Sequence, residues 1–294
     1  MGFGKSSSSR WNRWIAAAGV AAMTLAVSAC GLGGDDAAAV TYADAKSSGK
    51  IKVGFANEAP WAFLDEKGEL TGYAPTVARA VLKNLGIDEV EGVVTDFDGL
   101  IDGLRAENYA FVAAGMFINP KRCESSAFAV PDYQVGSAFM VPEGNPRNIN
   151  RFEDITRENV RMATLGGAVE NGYAESSGVP SQLIEPMAKQ DDILRAVRNG
   201  DVYGGAILDV TATWLAKHNP DANLEVTPSF QYGERPDVGT FNFRIGDDEF
   251  REDFNRELRA LHESGEWLRL VEPFGLTAAN EPDASMTTEQ YCTA

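Results

Sequence analysis

The sequence predicts an α/β fold with two lobes and a ligand cleft between them. Short strand-like runs alternate with amphipathic helical patterns in two successive series, separated near Pro146, as expected of mostly parallel sheets covered by helices. A late strand and a long helix follow the second series and return to the first lobe, so the chain crosses between the lobes more than once. The length of 294 residues also fits two units, at roughly 150 residues per domain.

The first series predicts the order strand, helix, strand, helix, strand. These elements are expected at residues 50–56, 75–85, 90–95, 98–104 and 111–116. Pro75 suits the first turn of a helix and Gly86 its end, while Asp98 can cap the next helix. The run at 111–116 is apolar throughout, which is typical of a strand buried on both faces.

The second series and the return segment complete the prediction. Their elements are expected at 161–165, 169–176, 191–199, 203–208, a helix from 209, a strand at 240–245 and a helix at 249–264. We therefore assign residues 49–141 and 240–294 to lobe 1, and residues 142–239 to lobe 2.

Composition limits the class of protein. The 44% hydrophobic and 23% charged residues are ordinary for a folded, water-soluble chain. The formal charge of −17, from 43 acids against 26 bases, would repel a phosphate backbone, so we expect no nucleic-acid partner. Three cysteines and two histidines leave little material for a zinc or iron–sulfur site, and we expect no metal or cofactor.

The N-terminus is typical of an export signal. Basic residues precede an apolar run at 15–27 that is shorter than the roughly 20 residues of a membrane span. Val27-Ser28-Ala29-Cys30 then resembles a bacterial lipobox, which predicts a signal peptide over 1–29, a lipidated Cys30 and a polar tether over 30–48. The alternative is an ordinary signal peptide followed by a chance cysteine.

Cys123 and Cys292 would be the cysteines left after lipidation. An even pair in an exported protein favours a disulfide, which here would join the C-terminal tail to the segment after Arg122. The alternative is two free thiols.

Motifs for catalysis are missing from the sequence. It contains no HExxH, no GxxxxGK[ST] phosphate loop and no GxSxG elbow. The two histidines lie in different segments without a nearby nucleophile pattern. We therefore do not expect an enzyme.

Several segments, in a fixed order, resemble the family 3 solute-binding proteins of ABC importers. They are Asn57-Glu58-Ala59-Pro60-Trp61, Gly68-Glu69-Leu70-Thr71-Gly72-Tyr73, Ala114-Gly115-Met116, Pro120-Lys121-Arg122 and Phe128. Within that family, residues 57–60, 74–75, 122–123 and 271–280 are most similar to ectoine and hydroxyectoine binding proteins. The resemblance implies a type II Venus-flytrap fold that closes on a small molecule and docks, as a monomer, on a membrane permease.

The resemblance also implies a carboxylate anchor. Arg122 follows a buried strand closely, where its guanidinium could reach the cleft and form a fork with a carboxylate. The alternative is a surface arginine paired with Glu124. Gly167 and Ala168 precede a helix whose N-terminal amides could form a second anion anchor.

A cation subsite is implied at three aromatic positions. Trp61, Phe97 and Phe117 lie at or just after predicted strand ends, and the resemblance makes them an aromatic cage. Aromatic faces attract a delocalised cation, and Glu58 could supply the countercharge. For any one ring, core packing is the alternative.

Asp209 keeps the ligand class open. In amino-acid binders an aspartate at this point often holds the α-ammonium, but Asp209 could equally cap the helix that follows it. The expected ligand is a zwitterionic compatible solute, ectoine or hydroxyectoine, and a polar amino acid is the alternative. A dehydratase on the same fold would need an acid and a base in the cleft, with Glu58 and Asp209 as candidates, and a sensory receptor ectodomain is a third class.

Overall fold

The computed structural model describes residues 40–293. The predicted signal peptide 1–29 and Cys30 lie outside these described residues. No helix within 40–293 combines the length and the apolar character that a membrane crossing requires.

Within residues 40–293 the strands form two mixed sheets and a short hairpin. The first sheet contains β1 Lys50–Phe55, β4 Glu89–Val94, β5 Phe111–Phe117, β6 Ala127–Phe128, β7 Tyr133–Val135 and β13 Asp237–Phe243. The second contains β8 Ser137–Pro142, β9 Met162–Leu165, β10 Ile184–Met187, β11 Gly204–Leu208 and β12 Leu224–Val226, and the hairpin is β2 Phe63–Leu64 with β3 Leu70–Thr71.

Helices cover both sheets. They are α1 Tyr42–Ser48, α2 Tyr73–Asn84, α3 Leu100–Arg105, α4 Pro120–Cys123, α5 Phe152–Glu158, α6 Val169–Ser176, α7 Gln190–Asn199, α8 Asp209–His218, α9 Asp248–Glu263, α10 Glu266–Val271 and α11 Thr288–Cys292. Short 3-10 helices lie at Phe97–Gly99, Ser181–Leu183, Pro220–Ala222, Glu272–Phe274 and Ala278–Asn280.

Each sheet has a parallel centre and antiparallel returning strands. The first has the order β4-β1-β5-β13-β6, with β7 also on β13; β1 runs parallel to both neighbours and β13 antiparallel to β5. The second has the order β10-β9-β11-β8-β12, with β9 parallel to both neighbours and β8 antiparallel to β11. The predicted two-lobed α/β fold is confirmed.

The crossing between the sheets lies earlier than the sequence predicts. Because Ser137–Pro142 pairs with β11, the change from lobe 1 to lobe 2 falls at Gly136 and not at 141. The return strand begins at Asp237, three residues ahead of the predicted 240, since its first residues pair with β7.

The end of the predicted tether is folded. The sequence predicts a tether over 30–48, whereas Tyr42–Ser48 forms α1, capped by Thr41. The Tyr42 ring stacks on Phe250 at 4.4 Å, and its hydroxyl donates to Asp253 Oδ2 at 2.7 Å. Burying the tyrosine ring against α9 attaches these residues to lobe 1.

A disulfide joins Cys123 at the end of α4 to Cys292 at the end of α11, with a Cα–Cα distance of 5.6 Å. The C-terminal helix is thereby held beside the residue that follows Arg122.

Candidate functional site

A cavity lies where the carboxyl ends of strands from both sheets face each other. It encloses about 470 Å³ of space not filled by atoms, part of which is open to solvent. Its lining residues are Glu58, Trp61, Phe97, Ala114, Gly115, Phe117, Arg122, Leu165, Ala168, Val169, Glu170, Gln190, Ile207, Leu208 and Thr211. This placement follows the rule that open α/β sheets bind ligands beyond the carboxyl ends of their strands.

The three predicted rings line this one cavity. Trp61 follows β1, Phe97 follows β4 and Phe117 ends β5, and their exposed fractions are 2%, 8% and 4%. Trp61 is fixed by Tyr133, whose ring centroid lies 4.7 Å away. Such fixed, dry aromatic faces can bind a diffuse cation without directional donors.

Arg122 also reaches the cavity. Its Nη1 donates to the Phe117 carbonyl at 2.7 Å and its Nη2 to the Gly167 carbonyl at 2.9 Å, while its guanidinium carbon lies 5.5 Å from the Phe97 ring centroid. Among the residues that the structure describes, no ion pair joins it to Glu124. A guanidinium has five N–H donors, so these two bonds leave donors for a ligand carboxylate.

Glu58 and Glu170 bring two carboxyl groups to the same cavity. Their exposed fractions are 5% and 2%. Burial, together with the negative charges of Glu170, Asp191 and Asp96, raises the pKa of Glu58 to about 8. Burial likewise raises the pKa of Glu170 to about 7, although the Ser137 hydroxyl, 3.3 Å from its Oε1, favours the charged form.

Asp209 does not line the cavity. It is the first residue of α8, not its N-cap, and its Oδ2 accepts hydrogen bonds from Gly136 N at 3.2 Å and Ser229 Oγ at 2.5 Å. Gly136 and Ser229 lie on the two segments that cross between the sheets. The carboxylate therefore ties both crossings to α8, a role that neither sequence-based alternative included.

The backbone groups of Gly167 and Ala168 are arranged differently from the predicted anion anchor. Ala168 lines the cavity as the N-cap of α6, but its N–H donates to the Leu165 carbonyl at 3.1 Å. Gly167 is not in the lining and directs its carbonyl to Arg122. A turn ahead of α6 uses the Ala168 N–H, which spacing alone could not reveal.

Sequence reasoning missed Glu170, Gln190 and Thr211. Gln190 Nε2 donates to the Ala59 carbonyl at 2.6 Å, and Trp61 Nε1 donates to Thr211 Oγ1 at 2.7 Å. Both bonds join lobe 1 to lobe 2. Glu170 could have been found, because it follows Ala168 by two residues in the first turn of the same helix.

No group of metal-ligating side chains occurs within the described part of the chain.

Comparison with known proteins gives consistent matches. Residues 51–277 match the model of the bacterial extracellular solute-binding proteins, family 3. A protein of Sinorhizobium fredii named "Probable amino-acid ABC transporter periplasmic-binding protein" is 32% identical in an alignment of 288 residues, and the match covers 95% of each chain.

Solved structures share the fold. The crystal structure of EhuB in complex with hydroxyectoine has a TM-score of 0.78 at 29% identity, and the match covers 86% of this chain and 97% of that one. An ancestral arginine-binding protein bound to arginine has a TM-score of 0.70 at 25% identity, over 77% of this chain and 98% of that one.

Proposed function

Since this chain belongs to the bacterial extracellular solute-binding proteins of family 3, we propose that it captures ectoine or hydroxyectoine for uptake by an ABC importer. The observation that carries the proposal is the convergence of Trp61, Phe97 and Phe117 with Glu58 and Arg122 on one cavity. That set offers aromatic faces and a carboxyl group to a delocalised cation, and a guanidinium to a carboxylate. The similarity to EhuB, whose structure holds hydroxyectoine, supports the same ligand class.

Binding in this proposal is a reversible closure of the lobes. Arg122 from lobe 1 holds the ligand carboxylate, and the rings with Glu58 hold the cation. The bonds of Trp61 to Thr211 and of Gln190 to Ala59 then join the lobes around the occupied cavity. A monomer is the proposed binding unit, and no covalent step is needed.

A cationic amino acid is the second candidate ligand. It is favoured by the pair of buried carboxyl groups, Glu58 and Glu170, in the cavity. A dehydratase is less well supported. It has two candidate residues, and only Glu58 lines the cavity, whereas Asp209 is hydrogen-bonded at the crossing segments.

Calorimetric titration of the purified protein with ectoine, hydroxyectoine, glycine betaine, L-arginine and L-glutamine tests the ligand assignment. We expect one of the two ectoines to bind most tightly, and Arg122→Ala to weaken it about a hundredfold or more, since the ligand carboxylate would be buried without its charged partner. Arg198→Ala, on the exposed side of α7, is the matched control. Tenfold tighter binding of an amino acid than of either ectoine would overturn the assignment.

Membrane attachment through Cys30 is a further part of the proposal. The lipobox-like residues 27–30 support it. We expect the protein to partition with membranes, and Cys30→Ala to give uncleaved precursor or released protein. Unchanged attachment of that variant would contradict lipidation.

A further inference from the structure

The cavity lining contains two carboxyl groups but one guanidinium. Glu58 comes from the segment after β1 in lobe 1, and Glu170 from the first turn of α6 in lobe 2. Both are almost completely buried, and Arg122 is the cation that shares the cavity with them. With both carboxyl groups ionised, the lining would carry a net charge of −1.

Within residues 40–293, the charged groups around Glu58 and Glu170 do not supply the missing positive charge. The titratable or charged groups that act on Glu58 and Glu170 are Asp96, Asp191, Asp237, Arg122, Tyr133 and Tyr173. Of these, Arg122 alone is cationic, and its charge is also the partner intended for a ligand carboxylate. Tyr173 donates to Asp237 Oδ1 at 2.6 Å, and the negative charge of Asp237 raises the pKa of Glu170.

A zwitterion cannot balance this lining when both carboxyl groups are ionised. Its carboxylate neutralises the charge of Arg122, and its cationic group neutralises one of the two carboxylates. The second carboxylate then stays buried in the cavity without a counterion, which is costly unless the group is neutral. A ligand with one net positive charge, such as arginine, has a cation for each carboxylate.

We propose that Glu170 is a second ligand-binding carboxyl group, opposite Glu58, and that the site binds a zwitterion with one proton retained by this pair. The inference rests on the proposed function and adds a residue that determines specificity between zwitterionic and cationic ligands. Because the charge of Glu170 raises the pKa of Glu58, we expect the two groups to titrate together.

The pKa directions agree with this assignment. Burial raises the pKa of Glu58 to about 8 and that of Glu170 to about 7, so the pair holds a proton near neutral pH. Raising the pH removes this proton, which opposes zwitterion binding, whereas a cationic ligand needs the proton removed. The affinities for ectoine and for arginine should therefore change with pH in opposite directions.

The experiment is calorimetric titration with ectoine and with L-arginine between pH 6 and 8.5, in two buffers that differ in their heat of ionisation. At the alkaline end of this range, where the pair goes from one proton to none, we expect ectoine affinity to fall with pH, approaching tenfold per pH unit, and arginine affinity to rise. Glu170→Gln mimics the protonated carboxyl group. It should keep ectoine affinity within about threefold, abolish its fall with pH, and weaken arginine binding at pH 8.5 by at least about tenfold.

Two further variants make the result specific. Glu175→Gln changes an exposed carboxylate of the same helix and should leave both pH profiles intact. Glu58→Gln removes the other member of the pair and should also abolish the fall of ectoine affinity with pH. The melting temperature of each variant shows whether it is folded.

The outcomes separate this inference from the proposed function. Ectoine binding that is independent of pH and of buffer, and unchanged by Glu170→Gln, would overturn the inference while the function stands. Binding of arginine but not ectoine, tightening with pH and lost in Glu170→Gln, would overturn the function and retain Glu170 as a ligand-binding residue. Failure of the wild-type protein to bind either ligand would overturn both.

Discussion

Phe117 is the residue on which the aromatic cage can be tested most directly. Its ring ends a central strand, is 4% exposed and lines the cavity. Phe117→Ala should weaken ectoine binding by about 1 to 3 kcal/mol, because a cation-facing ring and its apolar contact area are both lost. Titration calorimetry measures the change. Phe274→Ala, which removes a half-buried ring away from the cavity, should leave affinity unchanged, and equal affinities for both variants would exclude a cage role for Phe117.

Asp209 is expected to act on the fold at the crossing segments and not on the ligand. In Asp209→Asn the amide keeps one acceptor for the bonds now made by Gly136 N and Ser229 Oγ, so stability should fall by about 1 to 3 kcal/mol. Ligand affinity should change by no more than about threefold. Chemical denaturation and calorimetry of the same sample measure both quantities.

Ser229→Ala and Asp221→Asn serve as comparisons for this variant. Ser229→Ala removes the hydroxyl donor and should reproduce part of the destabilisation, while Asp221→Asn, on the surface of the same lobe, should have no effect. Nearly abolished binding with unchanged stability in Asp209→Asn would instead identify Asp209 as the ammonium-binding residue of an amino-acid receptor.

Elements with a strong local pattern were predictable from the sequence. The alternating residues of β1 and the glycine-terminated α7 lie within one residue of their predicted bounds. Short strands that depend on distant partners, such as β6 and β12, have no local signature, because pairing with β13 and β8 creates them. The helix α1 was missed for a similar reason: burial of Tyr42 against α9 stabilises it, and seven residues alone would be marginal.

The same distinction applies to the site. Trp61, Phe97 and Phe117 could be placed because each follows a recognisable strand, and strand ends share one edge of a sheet. Gln190 and Thr211 could not, since their importance depends on how closely one lobe approaches the other.

The C-terminal segment contacts both crossings between the sheets. Asn280 Nδ2 donates to the Gln134 carbonyl at 3.1 Å beside the first crossing, and Arg235 Nη1 donates to the Gln290 carbonyl at 3.2 Å beside the second. The disulfide from Cys292 fastens the end of this segment to α4.

Cys292→Ser should therefore destabilise the protein substantially, by roughly 3 to 5 kcal/mol in the chain-entropy model. Removing either cysteine breaks the same disulfide. The loss of stability in Cys123→Ser and in the double variant should therefore equal that in Cys292→Ser to within about 0.5 kcal/mol. Denaturant titration of the three variants measures this. Additive effects, or alkylation of both thiols in the unreduced wild-type protein, would show that the cysteines are not paired.

At the scale of the whole molecule, contacts between the lobes define the closed arrangement. Gly167 of lobe 2 lies so close to Asp98 that a Cβ on the glycine would be 2.8 Å from the aspartate Cβ, and Gln190 and Thr211 bond across the cleft. The proposed closure moves the lobes as bodies about the crossings at Gly136 and Asp237, so these contacts would form together. Ligand and lobe contacts therefore stabilise the same state.

This coupling predicts that ligand compacts the protein and raises its melting temperature, by an amount that grows with ligand concentration. Small-angle scattering with and without saturating ectoine should show a smaller radius of gyration in the complex. Gln190→Ala removes one bond of the closed state, so it should bind ectoine several-fold more weakly yet reach the same radius at saturation. Gln182→Ala, an exposed residue of the same lobe, should behave as the wild type. A radius that does not change on measured binding would mean that the cavity is a rigid pocket, and the lobe contacts would then stabilise the fold without responding to ligand.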